Sequence, residues 1–269
     1  MKVSVITPVY NAGDYIIPCL ESLCEQTIDE LEIVLVDDHG QDDSIEKARQ
    51  FAKAHPNMNI VFADNGSNKG PGAARNLGIL RSSGEYVAFV DSDDRIDPDF
   101  CEKLYNTAVK VDADLAYCNI SFDYQNSPNE IKRNPQTESG PFTTQQKKSF
   151  LRCYKSYFTT FLYRKAFLIS NGIAFPDTHS AEDTCFLACS LISAQSIASD
   201  PTTLYHYNII PISISRKKDR NRFRNRIHSL RVFKRYTQEH GLYSSFRFEI
   251  NLMVLKKGWI MGLRDLLTN

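Results

Sequence analysis

The chain has 269 residues, 42% of them apolar, and its 32 basic and 32 acidic side chains cancel to a formal net charge of zero. That length suits one large domain or a domain with an appendage, and that apolar share can bury a sizeable core. A neutral average gives no case for a nucleic-acid binder, and no apolar run approaches the roughly 20 residues that a membrane-spanning helix needs.

The first half alternates two periodicities. Residues 3–9 are a β-branched run closing at Pro8-Val9-Tyr10-Asn11, after which Tyr15, Ile16, Cys19, Leu20 and Leu23 fall on one helical face. Ile33-Val34-Leu35-Val36 predicts a second strand ending at Asp37-Asp38, and Ser44 an N-cap for a helix carrying Ile45, Ala48, Phe51 and Ala52. Ile60-Val61-Phe62-Ala63 predicts a third strand, followed by a loop through Asn65-Gly66 to Gly70-Pro71-Gly72 and a helix over 73–80. Tyr86-Val87-Ala88-Phe89-Val90 is a fourth strand, Pro98 fits the first turn of the next helix, and Leu115-Ala116-Tyr117-Cys118 is one more strand. Strands alternating with helices imply an α/β fold with a mostly parallel sheet and right-handed crossovers. The span 121–146 is polar, with Pro128, Pro135, Gly140 and Pro141, and is expected to be a long loop or loosely ordered insertion, of the kind that in an enzyme can serve as a lid. A core-like pattern returns at Phe158-Thr159-Thr160-Phe161-Leu162-Tyr163-Arg164. The expected division is a catalytic domain over 1–215 and a basic, amphipathic helical extension over 216–269.

Asp91-Ser92-Asp93, followed by Asp94, carries carboxylates to the C-terminal end of a buried strand, where open α/β sheets bind their ligands. Carboxylates this close repel one another, and a hard divalent cation with oxygen ligands relieves that; the cation can bridge to a diphosphate. Such a triplet alone is also what a turn looks like, because Asp favours turns. Thr7, Tyr10, Asp37 and Asp38 gather at the same sheet edge. No G-x-G-x-x-G follows the first strand and no G-x-x-x-x-G-K-[ST] occurs, so dinucleotide and P-loop readings fall.

Val3-Ser4-Val5-Ile6-Thr7-Pro8-Val9-Tyr10-Asn11, Val36-Asp37-Asp38 with Asp42 and Ser44, the stretch from Asn68 through Gly70, Arg75 and Asn76 to Gly78, and Asp91-Ser92-Asp93-Asp94 occur in the order of the motifs of family 2 glycosyltransferases, which the chain resembles. Glu182-Asp183-Thr184-Cys185-Phe186 is similar to that family's E-D motif, and Ser213-Ile214-Ser215 to its S-I-S segment. His39-Gly40 stands where the family commonly has Gly-Ser. The resemblance implies a GT-A (Rossmann-like) fold and transfer of a hexosyl or N-acetylhexosaminyl group, with inversion, from a nucleotide-sugar donor such as a UDP-sugar to a saccharide or lipid-linked acceptor. It implies Thr7, Pro8 and Tyr10 lining the nucleoside pocket, Asp38 on the base and Arg75 near base or phosphates. It further implies Asp91 on ribose or metal, Asp93 on Mn2+ or Mg2+, Asp183 as general base and Glu182 as its orienting neighbour. An acceptor hydroxyl needs such a carboxylate to take its proton. Acids in the first turn of a helix are equally ordinary dipole partners, and a non-catalytic nucleotide-sugar or carbohydrate-binding module would keep the same fold. His206, in Tyr205-His206-Tyr207-Asn208, reads as a packed histidine or a third ligand.

Seven cysteines (Cys19, Cys24, Cys101, Cys118, Cys153, Cys185 and Cys189) lie without C-x-x-C pairs and read as buried reduced thiols. With Met1-Lys2 leading straight into the first strand, too short for a signal peptide, the expected location is the cytoplasm. Residues 216–235 carry ten basic side chains against one acid, Asp219, with Phe223, Ile227 and Leu230 at helical spacing. They predict either a solvated helix packed on the domain or a contact with the anionic inner face of a membrane.

Overall fold

The computed structural model of the chain describes residues 1–153, 157–178, 180–210 and 221–256. The elements run β1 (Val3–Val9), α1 (Ile16–Cys24), β2 (Leu31–Asp37), α2 (Ser44–Ala54), β3 (Ile60–Asp64), α3 (Pro71–Arg81), β4 (Tyr86–Phe89), β5 (Arg95–Ile96), α4 (Phe100–Lys110) and β6 (Leu115–Tyr124). They continue with β7 (Glu130–Lys132), β8 (Gly140–Pro141), α5 (Thr144–Arg152), β9 (Phe161–Arg164), α6 (Lys165–Ser170), α7 (Glu182–Ser193), β10 (Ser196–Ile209), α8 (Arg222–Glu239) and α9 (Tyr243–Met253). Among the described residues the strands form one sheet in the order β3-β2-β1-β4-β9-β6-β10-β5. The strands β3, β2, β1, β4, β6 and β10 run one way, while β9 and β5 oppose them.

Side chains alternate across this sheet as a strand period of two requires. Val3, Val5 and Val9 enter one apolar core with α1 and α4, and Ile6 enters the other with α3 and α7. Gly78 permits the close seat of α3 on β1, because a Cβ there would lie 2.2 Å from Cγ2 of Ile6. Two expected helix starts differ in detail. The Ser44 hydroxyl donates to Asp42 (2.6 Å) rather than capping α2, and Pro98 lies just ahead of α4, its carbonyl accepting the Thr27 N–H (2.9 Å).

The span 121–146, expected to be a loop, holds the end of β6, the strands β7, paired with β6, and β8, paired with β10, and the start of α5. Its polar residues are used to pin it. Asn134 donates to the Cys118 carbonyl (2.7 Å) and the Thr160 hydroxyl (2.8 Å), and its N–H donates to Asn119 (3.0 Å). Thr143 and Gln146 form a capping box that starts α5. The helices α8 and α9 pack through Leu230, Phe233, Tyr236, Phe246 and Ile250 into the same apolar cluster as Phe186 and Cys189 of α7. The Tyr236 and Ser193 hydroxyls hydrogen-bond at 2.8 Å. The expected S-I-S segment and residues 216–220 lie outside the described residues. Within α8, Leu230 is buried as expected, Phe223 and Ile227 are half-buried, and Arg226 joins the buried face.

Candidate active site

The C-terminal ends of β1, β2 and β4 lie side by side, with Val9 registered against Asp37. Thr7 and Pro8 are buried there and Tyr10 is partly exposed. The Thr7 hydroxyl is buried without a hydrogen-bond partner, an orphan that asks for a bound group or water. The loops after β1 and β2 interlock. Asn11 (φ 49°) and His39 (φ 55°) both adopt left-handed backbone, and Asn11 accepts the Gln41 N–H at 2.6 Å. A left-handed φ is natural for glycine and uncommon for other residues, Asn and His being among those that adopt it most readily; here the His39 ring gains a 2.7 Å contact with Asp64 at the end of β3.

Asp38 is buried, and its carboxylate accepts from the Asn65 side chain (2.6 Å) and the backbone N–H groups of Lys69 (3.0 Å) and Gly70 (3.1 Å). It therefore fixes the loop that feeds α3, whose first residue is Pro71, a fit to the opening helical position.

That helix delivers Arg75. Its guanidinium donates to Asp91 at 2.6 Å and stacks 4.6 Å from the Phe158 ring centre and 5.4 Å from that of Phe175. The Arg75 side chain is 6% exposed. Burial opposes its charge, but Asp91 and then Glu182 outweigh that, so it stays a cation. Its Nε has no hydrogen-bond partner. The Asp93 carboxyl is half-buried and pushed up to about 6 by burial and by Asp91. Asp94 is fully buried and pushed well up by burial, Asp91 and Asp93. It accepts from the Tyr205 hydroxyl (2.6 Å) and the Asn208 N–H (2.9 Å), and the same hydroxyl accepts the Asp91 N–H at 3.2 Å.

Across from this turn, α7 opens with Glu182-Asp183 directly after Ala181, held at a left-handed φ of 61°. Glu182 is pushed up to about 7 by burial and Asp183, against the pull of Arg75. A Cβ at Gly72 would lie 3.3 Å from the Phe175 Cβ and 3.4 Å from Cγ of Glu182, so the N-terminus of α3 packs closely against both. Arg75 thus bonds Asp91 and lies within electrostatic reach of Glu182 and Asp183.

The structure brings together Arg75, Asp91, Asp93, Glu182 and Asp183, and aligns Thr7, Pro8, Tyr10 and Asp38 along the neighbouring strand ends. His206 stands apart, bonded to Asp97 (2.9 Å) and Asp123 (3.1 Å) as a hydrogen-bonded histidine. Sequence reasoning missed Asp94 and Tyr205 as supports of the acidic turn. Asp94 was legible as a third acid after Asp93; nothing in the sequence pairs it with a tyrosine more than a hundred positions on. Among the described residues no group of three or more His, Cys, Asp and Glu side chains is placed to hold a metal. A cation taking one or two carboxylates and completing its shell with water or substrate phosphate fits Asp93 with Asp91: the Asp93 carboxyl is half-buried and raised by Asp91, whereas Asp94 is fully buried and bonded to Tyr205 and Asn208.

A mixed α/β sheet with an acidic turn on its C-terminal edge is the architecture of GT-A glycosyltransferases. Residues 4–171 match the model of Glycosyl transferase family 2, and the chain belongs to that family. The matched residues hold Arg75, Asp91 and Asp93 and end before Glu182. The chain is 29% identical to the provisionally named glycosyltransferase EpsH of Bacillus subtilis, over 98% of this chain and 77% of that one. It is 30% identical to the uncharacterized glycosyltransferase YibD of Escherichia coli, over 95% and 78%. Its fold matches that of Staphylococcus aureus TarS 1-349 in complex with UDP, at a TM-score of 0.70 and 25% identity, over 88% of this chain and 65% of that one.

Proposed function

We propose that the protein transfers a sugar from a UDP-sugar to a hydroxyl of a saccharide or lipid-linked saccharide, with inversion and with Mn2+ or Mg2+ at Asp93, assisted by Asp91. The observation that carries this reading is Arg75, a buried cation set between an acidic turn fit for a metal and an acid pair fit for proton transfer. UDP bound by TarS supports uridine as the nucleoside.

A divalent ion held by Asp93 and Asp91 would neutralise charge on the departing diphosphate. The chain supplies the rest. Thr7, Pro8 and Tyr10 line the nucleoside, and the Asp38 carboxylate, with three N–H groups accepted, keeps a lone-pair site for the base. Arg75 holds Asp91 in place and adds positive charge near the phosphates. Asp183, on the opposite side, takes the proton of the acceptor hydroxyl, and Glu182 orients it; inversion calls for one base facing away from the leaving group, as in inverting glycoside hydrolysis. A lipid-linked acceptor sets the place of work at the inner face of the cell membrane.

UDP release from UDP-sugars, with and without Mn2+, tests this. Asp93→Ala should abolish metal stimulation. Asp183→Asn should keep donor affinity within about threefold while turnover falls roughly 10²-fold, the usual scale of a lost general base. Tight donor binding with no metal-dependent release from any UDP-sugar would instead mark a binding module.

A further inference from the structure

The outer face of α8 carries a row of cations that the transfer chemistry does not use. Arg224, Arg231 and Arg235, with His228 between them, are all exposed at spacings of four, three and four residues, the period of a helix face. The row spans about 16 Å at the helical rise of 1.5 Å per residue. No acid interrupts it before Glu239. None of the three arginines is engaged in an ion pair among the described residues. The opposite face of the same helix is sealed into the core by Leu230, Phe233 and Tyr236, so the row is held rigidly outward.

We infer that this face seats the protein on an anionic lipid bilayer. A straight row on one helix matches a flat field of lipid charge, whereas the chain as a whole is neutral and offers no general attraction to polyanions. On the adjoining α9, Phe248 is 65% exposed in a groove lined by Lys148, Arg152, Arg247 and Glu249, the last paired with Arg152, so this flank adds an exposed apolar ring and a net positive charge that a bilayer can use together. The surface deepens the lipid-linked acceptor reading by naming how the enzyme would reach such an acceptor.

The test is co-sedimentation of the full chain with vesicles of phosphatidylcholine alone or mixed with phosphatidylglycerol, at low and high salt. Wild type should bind only the phosphatidylglycerol vesicles and come off in high salt. The triple variant R224Q/R231Q/R235Q should bind about a hundredfold more weakly, since each near-surface cation is worth roughly a factor of five. Its melting temperature and its UDP release with a soluble acceptor should match wild type, which separates failure of this surface from failure of the transferase reading. Equal recovery with neutral vesicles, a triple variant that binds like wild type, or retention on heparin without vesicle binding would overturn the inference.

Discussion

Replacing Glu182 by Gln isolates the electrostatic cost of the acid pair at the start of α7. Burial and Asp183 push the Glu182 carboxyl up to about 7, from an ordinary value of 4.5. Between those two values the folded chain holds a proton that the unfolded chain has released, so stability falls as pH rises through that window and stays low above it. At 1.36 kcal/mol per pH unit the displacement is worth roughly 3 kcal/mol. The side chain keeps some contact with solvent, so we take about 2 kcal/mol. Gln keeps the shape and cannot ionise. Glu182→Gln should therefore be more stable than wild type at pH 8, by about 4–8 °C in Tm at roughly 2–4 °C per kcal/mol, and no more stable at pH 4.5. Calorimetric melts of both proteins from pH 4.5 to 8.5 check this. A Tm difference that does not change with pH, or a Gln variant that melts lower at pH 8, would refute the reasoning and make Glu182 a charged partner of Arg75.

Two further outcomes follow from the acidic turn. With the Asp93 carboxyl near 6, protonation competes with the cation; Mn2+ affinity measured by calorimetry with UDP present should fall about tenfold per pH unit below 6 and level off above it, and a flat profile would exclude Asp93 as ligand. Tyr205→Phe removes the hydroxyl that accepts the Asp91 N–H and donates to Asp94, leaving that N–H and one oxygen of Asp94 unpaired while the other keeps Asn208, at a cost of about 1–3 kcal/mol; Tm should drop and the apparent Mn2+ affinity weaken together, and a variant with unaltered metal affinity would show that the clamp does not position the turn.

The alternation from β1 to β4 was legible because each strand is a short apolar run closed by turn residues, and the sheet edge holding Thr7, Asp38 and Asp91 followed from it. The aromatic run at 161–163 was legible as core, but not that β9 would slot in antiparallel between β4 and β6, since register depends on partners far away in sequence. Polar composition pointed away from the strands in 121–146, because Asn134 spends its side chain on the Cys118 carbonyl and the Thr160 hydroxyl, and its N–H on Asn119, instead of on water. At the site, residue types were readable and engagement was not. That Asp91 also bonds Arg75 was not readable from either residue, and the left-handed backbone at Ala181 that aims α7 has no signature in an alanine.

The order in which the chain is made bears on how Arg75 reaches its final state. Asp91 follows Arg75 by 16 positions, and both sit on the β1–β4 unit, which pairs from contiguous sequence. The rings of Phe158 and Phe175 that cover the guanidinium, and the acids of α7, leave the ribosome about 70 to 90 residues after Asp91. At about 5–20 residues per second, the nascent unit holds its ion pair in water for several seconds before an apolar wall closes over it. The metal-facing half is thus laid down as an open acidic surface, and the dry cation at the centre of the site is the product of the last stage of folding.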